Sequence, residues 1–414
     1  MPSHLKPMPL IISFNFSSPV PSLSKKNLLL ALQHRNRVCA ISIGHWGLGD
    51  LELRRVLDND FPMLETLSIS NDHVARVPPK SFAARHLRTL HLRNIAIDRG
   101  CLLLACATNL LSLRLERIPS PGDFPPEYLV ERIASMPHLE NLSISFLQNM
   151  PLPYTVMELR NTQTPFIVIP RLSRFIYIGI GTYLEKVLAR IRTPLLQDFR
   201  FTSSLDGIFT VLSLSAFLDT MQNLNFQKTL VSFSTLSTAI AYHFEQPPVD
   251  GPYFVFNVLG IDNRLGALDS VVKICSAVAP ILPDVESLVL ESDYDCLRFP
   301  RFVVKPALWQ SFLRSFGGVK TLRADMAFAA ELSETLRADN GLAIKELLPV
   351  VSKLIVVSRV ALVHEPFYSF ISARRLAGHS IDLQVIQHYP PSLRPPPISW
   401  LFDTFPEGSN PVTL

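Results

Sequence analysis

The sequence predicts an α/β fold that grows by repetition, an elongated solenoid with a curved parallel β-sheet on its concave side and helices on its convex side. Three observations predict it: a length of 414 residues, an apolar hexad that recurs along most of the chain, and helix-like segments between the hexads. The length exceeds the usual size of one domain, so the chain must either divide or extend along one axis. With 48% hydrophobic and 18% charged residues it has ample apolar surface to bury, which excludes global disorder. Glycine is scarce at 16 and proline plentiful at 34, so the connections are expected to be short turns stiffened by proline.

The hexad carries apolar residues at positions one, four and six. Its clearest copies are Leu64-Glu-Thr-Leu67-Ser-Ile69, Leu87-Arg-Thr-Leu90-His-Leu92, Leu110-Leu-Ser-Leu113-Arg-Leu115 and Leu139-Glu-Asn-Leu142-Ser-Ile144. Looser copies begin at Leu172, Leu196, Val285, Val319 and Val351, and an earlier one at Val38. From Leu64 the starts are spaced 23, 23, 29, 33 and 24 residues apart, and from Val285 by 34 and 32. This is a stretched, irregular version of the leucine-rich-repeat period of roughly 20 to 29 residues.

Positions four and six lie two residues apart and point to one face of a strand, whereas position five points to the other. One face is therefore expected to be core and the other solvent. Between the hexads, Cys101–Ala107, Glu127–Met136, Tyr183–Ile191 and Leu268–Ile281 show helical spacing of apolar residues. Strand, return helix and next strand make a right-handed parallel unit, and such units must stack to bury their apolar faces.

From Phe201 to Val285 the hexad lapses, although Thr229–Phe233 and Tyr253–Leu259 still read as strands, so degenerate repeats are expected there rather than a second domain. The organisation predicted is a strand or cap segment over 1–27, an irregular leucine-rich-repeat solenoid over 28–382 and a proline-rich, irregular tail over 383–414.

The remaining composition narrows the class of function. A net charge of +4, without runs of Lys or Arg, gives no nucleic-acid footprint. The five cysteines (Cys39, Cys101, Cys106, Cys275 and Cys296) are widely spaced and form no CxxC pair, which indicates neither a disulfide framework nor a zinc site and favours a reducing compartment. Lys6 and the apolar run Pro9–Phe16 imitate a secretory signal, but the run is short, contains Asn15 and alternates like a strand. No stretch approaches the roughly 18 apolar residues needed to cross a bilayer. A monomer in the cytoplasm, the nucleus or both is expected, with no membrane or nucleic-acid partner and no cofactor.

Five segments carry a family likeness: Leu28–Val38 with Ile41-Ser-Ile43, Leu87–Ile95, Leu113–Pro119, Tyr183–Ile191 with Pro194-Leu-Leu196, and Ser372–His379. In this order, across roughly residues 8 to 385, they resemble the repeat portion of the large fungal F-box family abundant in mushroom-forming basidiomycetes. Each motif is an ordinary core pattern; their succession makes the likeness. The resemblance implies a substrate-recognition repeat domain that presents a protein substrate, unidentified here, to a cullin-based ubiquitin ligase. In that family an N-terminal F-box docks on a Skp-type adaptor. Met1 stands almost at the first repeat and leaves no room for such a module, so the F-box is expected to be absent from this chain, and docking requires one encoded upstream. A free-standing repeat scaffold is the other expectation.

Catalytic motifs find little support. Gly179-Ile-Gly181-Thr-Tyr-Leu184 follows a strand and opens a helix as a dinucleotide loop would, but its third glycine is Leu184, and a strand-to-helix turn explains the glycines. Glu291, Asp293 and Asp295 beside Cys296 read as a solvated loop after a strand ending at Leu290. His364-Glu365 precedes Pro366 and marks a turn, and His45, beside Trp46 and near Asp50, has no nucleophile to activate. No GxSxG, Walker loop, HExxH or paired CxxC occurs, so no catalytic, cofactor-binding or metal-binding residue is assigned. A protein-binding surface is more readily placed. Position five and the residues just after each hexad put His91, Arg93, Arg114 and Glu116 on adjacent strands, with Arg174 and Arg200 further along. Arginines in a row could hold an acidic partner segment; a wetted strand face is the plainer reading of any one of them.

Overall fold

The structure is a computed structural model that describes residues 8–15, 22–44, 51–76, 84–97, 102–119, 124–147, 166–204, 212–221, 228–233, 237–243, 253–259, 272–278, 282, 284–292, 306–337, 347–357 and 365–386. In chain order the elements are β1 (Leu10–Asn15), α1 (Ser22–Gln33), β2 (Val38–Gly44), α2 (Leu51–Leu57), β3 (Thr66–Arg76), β4 (Thr89–Ala96), α3 (Leu102–Cys106), β5 (Ser112–Ile118), α4 (Pro126–Ala134) and β6 (Asn141–Phe146). There follow β7 (Ile167–Val168), β8 (Arg174–Gly179), α5 (Gly181–Leu188), β9 (Ile191–Arg192), β10 (Asp198–Ser204), α6 (Leu212–Leu218), β11 (Lys228–Phe233), β12 (Ser237–His243) and β13 (Tyr253–Leu259). The last are β14 (Ser287–Ser292), α7 (Pro306–Arg314), β15 (Thr321–Asp325), α8 (Met326–Arg337), β16 (Lys353–Val357), α9 (Glu365–Leu376) and β17 (Asp382–Ile386). The chain is mixed α/β, with a large parallel sheet and helices.

Two compact units are present, one of Met1–Asn225 with Ala241–Ile281, the other of Phe226–Ile240 with Leu282–Leu414. Their boundaries fall in the stretch where the hexad lapses. In the first unit the strands pair in parallel in the order β1-β2-β3-β4-β5-β6-β8-β10-β13. In the second the order is β11-β14-β15-β16-β17, again parallel throughout. Parallel neighbours need a crossover between them; α1, α2, α3, α4 and α5 lie on such crossovers in the first unit, and α7, α8 and α9 in the second. Successive helices touch: α1 with α2, α4 with α5 and α5 with α6 in the first unit, α7 with α8 and α8 with α9 in the second.

The hexad sets the register. Its fourth position aligns strand to strand as Ile41, Leu67, Leu90, Leu113, Leu142, Phe175 and Phe199. In the second unit Leu288, Leu322 and Leu354 align in the same way. Positions one, four and six are buried in every copy from Val38 to Val351. Full burial of each such side chain contributes roughly 1.5 to 3 kcal/mol, so a row of them dominates the packing energy.

A further buried residue precedes each hexad from Leu64 onward by three places: Phe61, Ala84, Ala107, Met136, Ile169, Thr193, Leu282, Phe316 and Leu348. In all but one of these copies its carbonyl accepts the N–H of position one, as Phe61 does from Leu64 and Ile169 from Leu172, closing a tight turn. Pro62, Pro137, Pro170, Pro194 and Pro349 follow that residue directly, where a fixed φ suits the turn. These turns account for five of the 34 prolines. Past the turn, the carbonyl of position two takes two N–H groups from the next repeat: Glu65 from Arg88 and Thr89, Arg88 from Leu111 and Ser112, Leu111 from Glu140 and Asn141.

Three departures from the sequence reading have physical causes. The segment expected to open an irregular tail at residue 383 instead forms β17, with Leu383 beside Leu354 and Val385 beside Val356. Its hexad has Ser380 at position one, and as the last strand of the order it leaves Val385 37% exposed, so the apolar pattern is weak. Within the lapsed stretch, Tyr253–Leu259 forms the strand the sequence indicates but not in chain order: it pairs directly with β10, ahead of β11 and β12, placing Phe254 beside Phe199 and Phe256 beside Phe201. The opposite sheet face, expected to be wetted throughout, is buried at Ser143, Ser145, Ile176, Asp198, Arg200 and Thr202. There short side chains sit between longer ones on strands only ~4.8 Å away and fall below the surface those make.

Beyond the hexad the strands bend. Register shifts fall between Ser70 and Ala75 and between Leu115 and Ile118. At the matching positions Asn94 and Arg117 adopt left-handed backbone, with φ of 55° and 53°. The Asn94 side chain donates to the Asn71 carbonyl, and the Arg117 N–H donates to Ser145 Oγ at 2.8 Å, so the bends are held by hydrogen bonds.

Candidate functional site

The six residues expected to form a binding surface fall into two clusters on the polar face of the first unit's sheet. In the β3–β4–β5 register His91 pairs with Ser68 on one side and Arg114 on the other, while Arg93 pairs with Glu116. Ser68 Oγ lies 3.2 Å from His91 Nδ1, and Glu116 Oε2 lies 3.2 Å from His91 Nε2. Arg114 Nε donates to Glu116 Oε1 at 2.5 Å. Arg93, two residues along the strand from His91, is exposed and has no ion pair among the described residues.

The second cluster joins β8 and β10, where Asp198 is the register partner of Arg174. Arg174 Nε is 2.8 Å from Asp198 Oδ2, Arg200 Nε donates to Asp198 Oδ1 at 2.9 Å, and Arg200 Nη2 donates to Asp198 Oδ2 at 3.0 Å. The structure thus brings together His91, Arg114 and Glu116, and separately Arg174 and Arg200, but through carboxylates of the chain's own. Asp198 was missed in the sequence. Its signal was available: Arg114-Leu-Glu116 and Asp198-Phe-Arg200 place opposite charges two apart, hence on one face of a strand.

Burial pushes the Glu116 carboxyl upward, but the hydrogen bond from His91 and the attraction of Arg114 and His91 outweigh it and hold the pKa at about 2. Because this value lies below the ordinary 4.5, the cluster's contribution is fully present above pH 4.5 and is lost as pH falls toward 2. Replacing Glu116 with Gln is expected to flatten the acid limb of stability in that window by on the order of 2 to 3 kcal/mol, measured by denaturant midpoints against pH. An unchanged acid limb would show that Glu116 is not so held.

Ser68, His91 and Glu116 succeed one another as nucleophile, base and acid do in hydrolases. Their surroundings are not those of a hydrolase. Ser68 sits inside β3 between two paired strands rather than on a sharp turn, so the neighbouring backbone N–H groups serve the sheet and not an oxyanion. Arg114 further engages the Glu116 carboxylate. The arrangement is a polar ladder across strands.

Of the other motifs, Gly179 ends β8 and Gly181 opens α5. A Cβ on Gly179 would meet Phe146 Cδ2 at 2.8 Å and the Tyr177 hydroxyl at 3.0 Å, so the glycine serves an aromatic cluster of Phe146, Tyr177 and Tyr183. Glu291 lies within β14, beside Ser232, rather than in a loop. Asp293, Asp295, Cys296, His45, Trp46, Asp50 and His364 lie outside the described residues. Cys39 and Cys106 are thiols without a disulfide bond. Among the described residues no group of three or more His, Cys, Asp or Glu side chains could hold a metal ion, and no helix is long and apolar enough to cross a membrane.

Buried charges elsewhere serve packing. Glu185 Oε2 accepts the Ser213 N–H at 2.8 Å, tying α5 to the start of α6, and burial raises its pKa. Trp309 Nε1 donates to Glu331 Oε2 at 2.9 Å, joining α7 to α8. Arg374, 1% exposed, donates to the Leu348 carbonyl and lies over the Phe370 ring at 5.6 Å, which anchors α9 to the turn before β16.

At the entry turns of β3, β4, β5, β6 and β8 an open groove of about 440 Å³ is lined by Met63, Glu65, His86, Arg88, Asn109, Leu111, His138 and Arg171. These residues stand three places or one place before each strand begins, so the repeat itself sets them side by side.

Fold and surface together define a mixed α/β protein with a large parallel sheet and a patterned polar face. No family model, curated protein or solved structure matches the chain.

Proposed function

We propose that this chain is a non-catalytic protein-interaction module, a leucine-rich-repeat-like solenoid that serves as the substrate-recognition repeat domain of an F-box-type ubiquitin-ligase adaptor. The observation that carries the reading is the register that sets His91, Arg93, Arg114 and Glu116 side by side on adjacent parallel strands, a surface built by repetition rather than a pocket. Strands that neighbour one another in chain order from β1 to β6 and from β14 to β17, successive helices that pack together and the shared carbonyl ladder all support a stacked repeat. The ligase role rests on the family resemblance of the segments from Leu28 to His379. Because Arg114, Arg174 and Arg200 are matched by Glu116 and Asp198, the face selects by hydrogen-bond pattern more than by net charge.

The test is reconstitution of the protein from its complete coding sequence with a purified Skp-type adaptor. A stoichiometric complex is expected. Absence of a complex rejects the ligase role and leaves a free-standing repeat scaffold, the second reading. Retention of one protein partner that His91→Ala and Arg93→Ala each weaken would then identify the polar face as the scaffold's contact.

A further inference from the structure

We propose that the groove across the strand-entry turns of the first unit binds an extended acidic peptide segment of a partner protein. The proposal is independent of the polar-face reading, since it concerns the turns that precede the strands.

Charge separates the two surfaces. On the polar face three of the four arginines meet a carboxylate of the chain itself. In the groove Arg88 and Arg171, with His86 and His138 beside them, have no side-chain hydrogen bond or ion pair among the described residues. Glu65 is the one acidic side chain that lines the groove, and Glu140 stands at its edge one place before β6; the guanidinium groups of Arg88 and Arg171 pair with neither and so are offered to a ligand. In the second unit the equivalent turn residues behave otherwise: Lys320 pairs with Glu286 across two repeats. Leu111 and the 54% exposed Met63 provide an apolar floor against which a peptide backbone can lie.

Geometry selects an extended occupant. The groove crosses five strand entries, four steps of ~4.8 Å, or about 19 Å, which about six residues of extended chain at ~3.3 Å each would span. It is open to solvent rather than enclosed, which suits a chain laid across it. The backbone there is already engaged in the carbonyl ladder, so recognition falls to the side chains. Guanidinium groups that reach carboxylates as paired donors supply it.

The experiment titrates the full chain into fluorescein-labelled hexaglutamate at low ionic strength and reads fluorescence anisotropy, with hexalysine as control. Binding is expected, and Arg88→Glu/Arg171→Glu is expected to weaken it by about tenfold or more, while Arg93→Glu on the polar face leaves it unchanged. Circular dichroism checks that the double variant folds; should it not, Arg88→Gln and Arg171→Gln are each expected to weaken binding about threefold. Equal binding by the charge-altered variants overturns the proposal, as does no binding by the wild type at up to about 1 mM. A single-stranded oligonucleotide held more tightly through the same arginines would overturn it in favour of nucleic acid.

Discussion

Replacing Phe199 with alanine is expected to lower the unfolding free energy of the first unit by about 3 to 5 kcal/mol, the range for truncating a buried aromatic core residue. Phe199 holds the fourth hexad position, has no exposed surface and packs its ring 5.6 Å from Phe175 and 5.7 Å from Phe217. Truncation removes contacts to the neighbouring strand and to α6 at once. The measurement is the shift of the denaturant midpoint assigned to the first unit, since a chain of two compact units need not unfold in one step. A loss below about 1 kcal/mol would mean that the hexad row is not the seat of its stability.

Replacing Asp198 with alanine is expected to cost about 3 kcal/mol, because it removes the buried carboxylate that two guanidinium groups on adjacent strands share. Arg200 is 9% exposed and Asp198 7%, so solvent is poorly placed to take over the lost partner. The charge pattern, rather than lost packing, is the cause. An Asp198→Leu/Arg200→Met double variant is therefore expected to be less destabilised than Asp198→Ala, since apolar replacement of a buried pair is often neutral. If the double variant is the worse of the two, packing explains the loss and the ion pair does not.

Much of the fold was legible because burial in a parallel strand imposes a period, and Leu64, Leu67 and Ile69 display that period in full. The turn that precedes each hexad was legible too, had Phe61-Pro62 and Ile169-Pro170 been read together with the leucine three places on. β17 was not, since an outer strand such as Asp382–Ile386 buries little and selection on its apolar pattern is weak. The candidate surface was half legible: alternation placed His91 and Arg114 on one face, but their partners depend on the register between strands. Arg174 reaches Asp198 only because β8 and β10 neighbour each other, a pairing that no local pattern states. The groove escaped notice for a similar reason, as its residues are far apart in the chain and meet only through stacking.

From Leu64 onward the entry turn keeps its three-residue spacing to the hexad, whereas the hexad starts drift from 23 to 34 residues apart. All of that drift is absorbed on the return path between one strand and the next turn. In the sequence, insertions and deletions thus fall between one hexad and the next entry turn, where segments can be lengthened, shortened or exchanged while the register of the hexads stays as it is. Those segments are where a lineage of such chains could diversify without redesigning its frame.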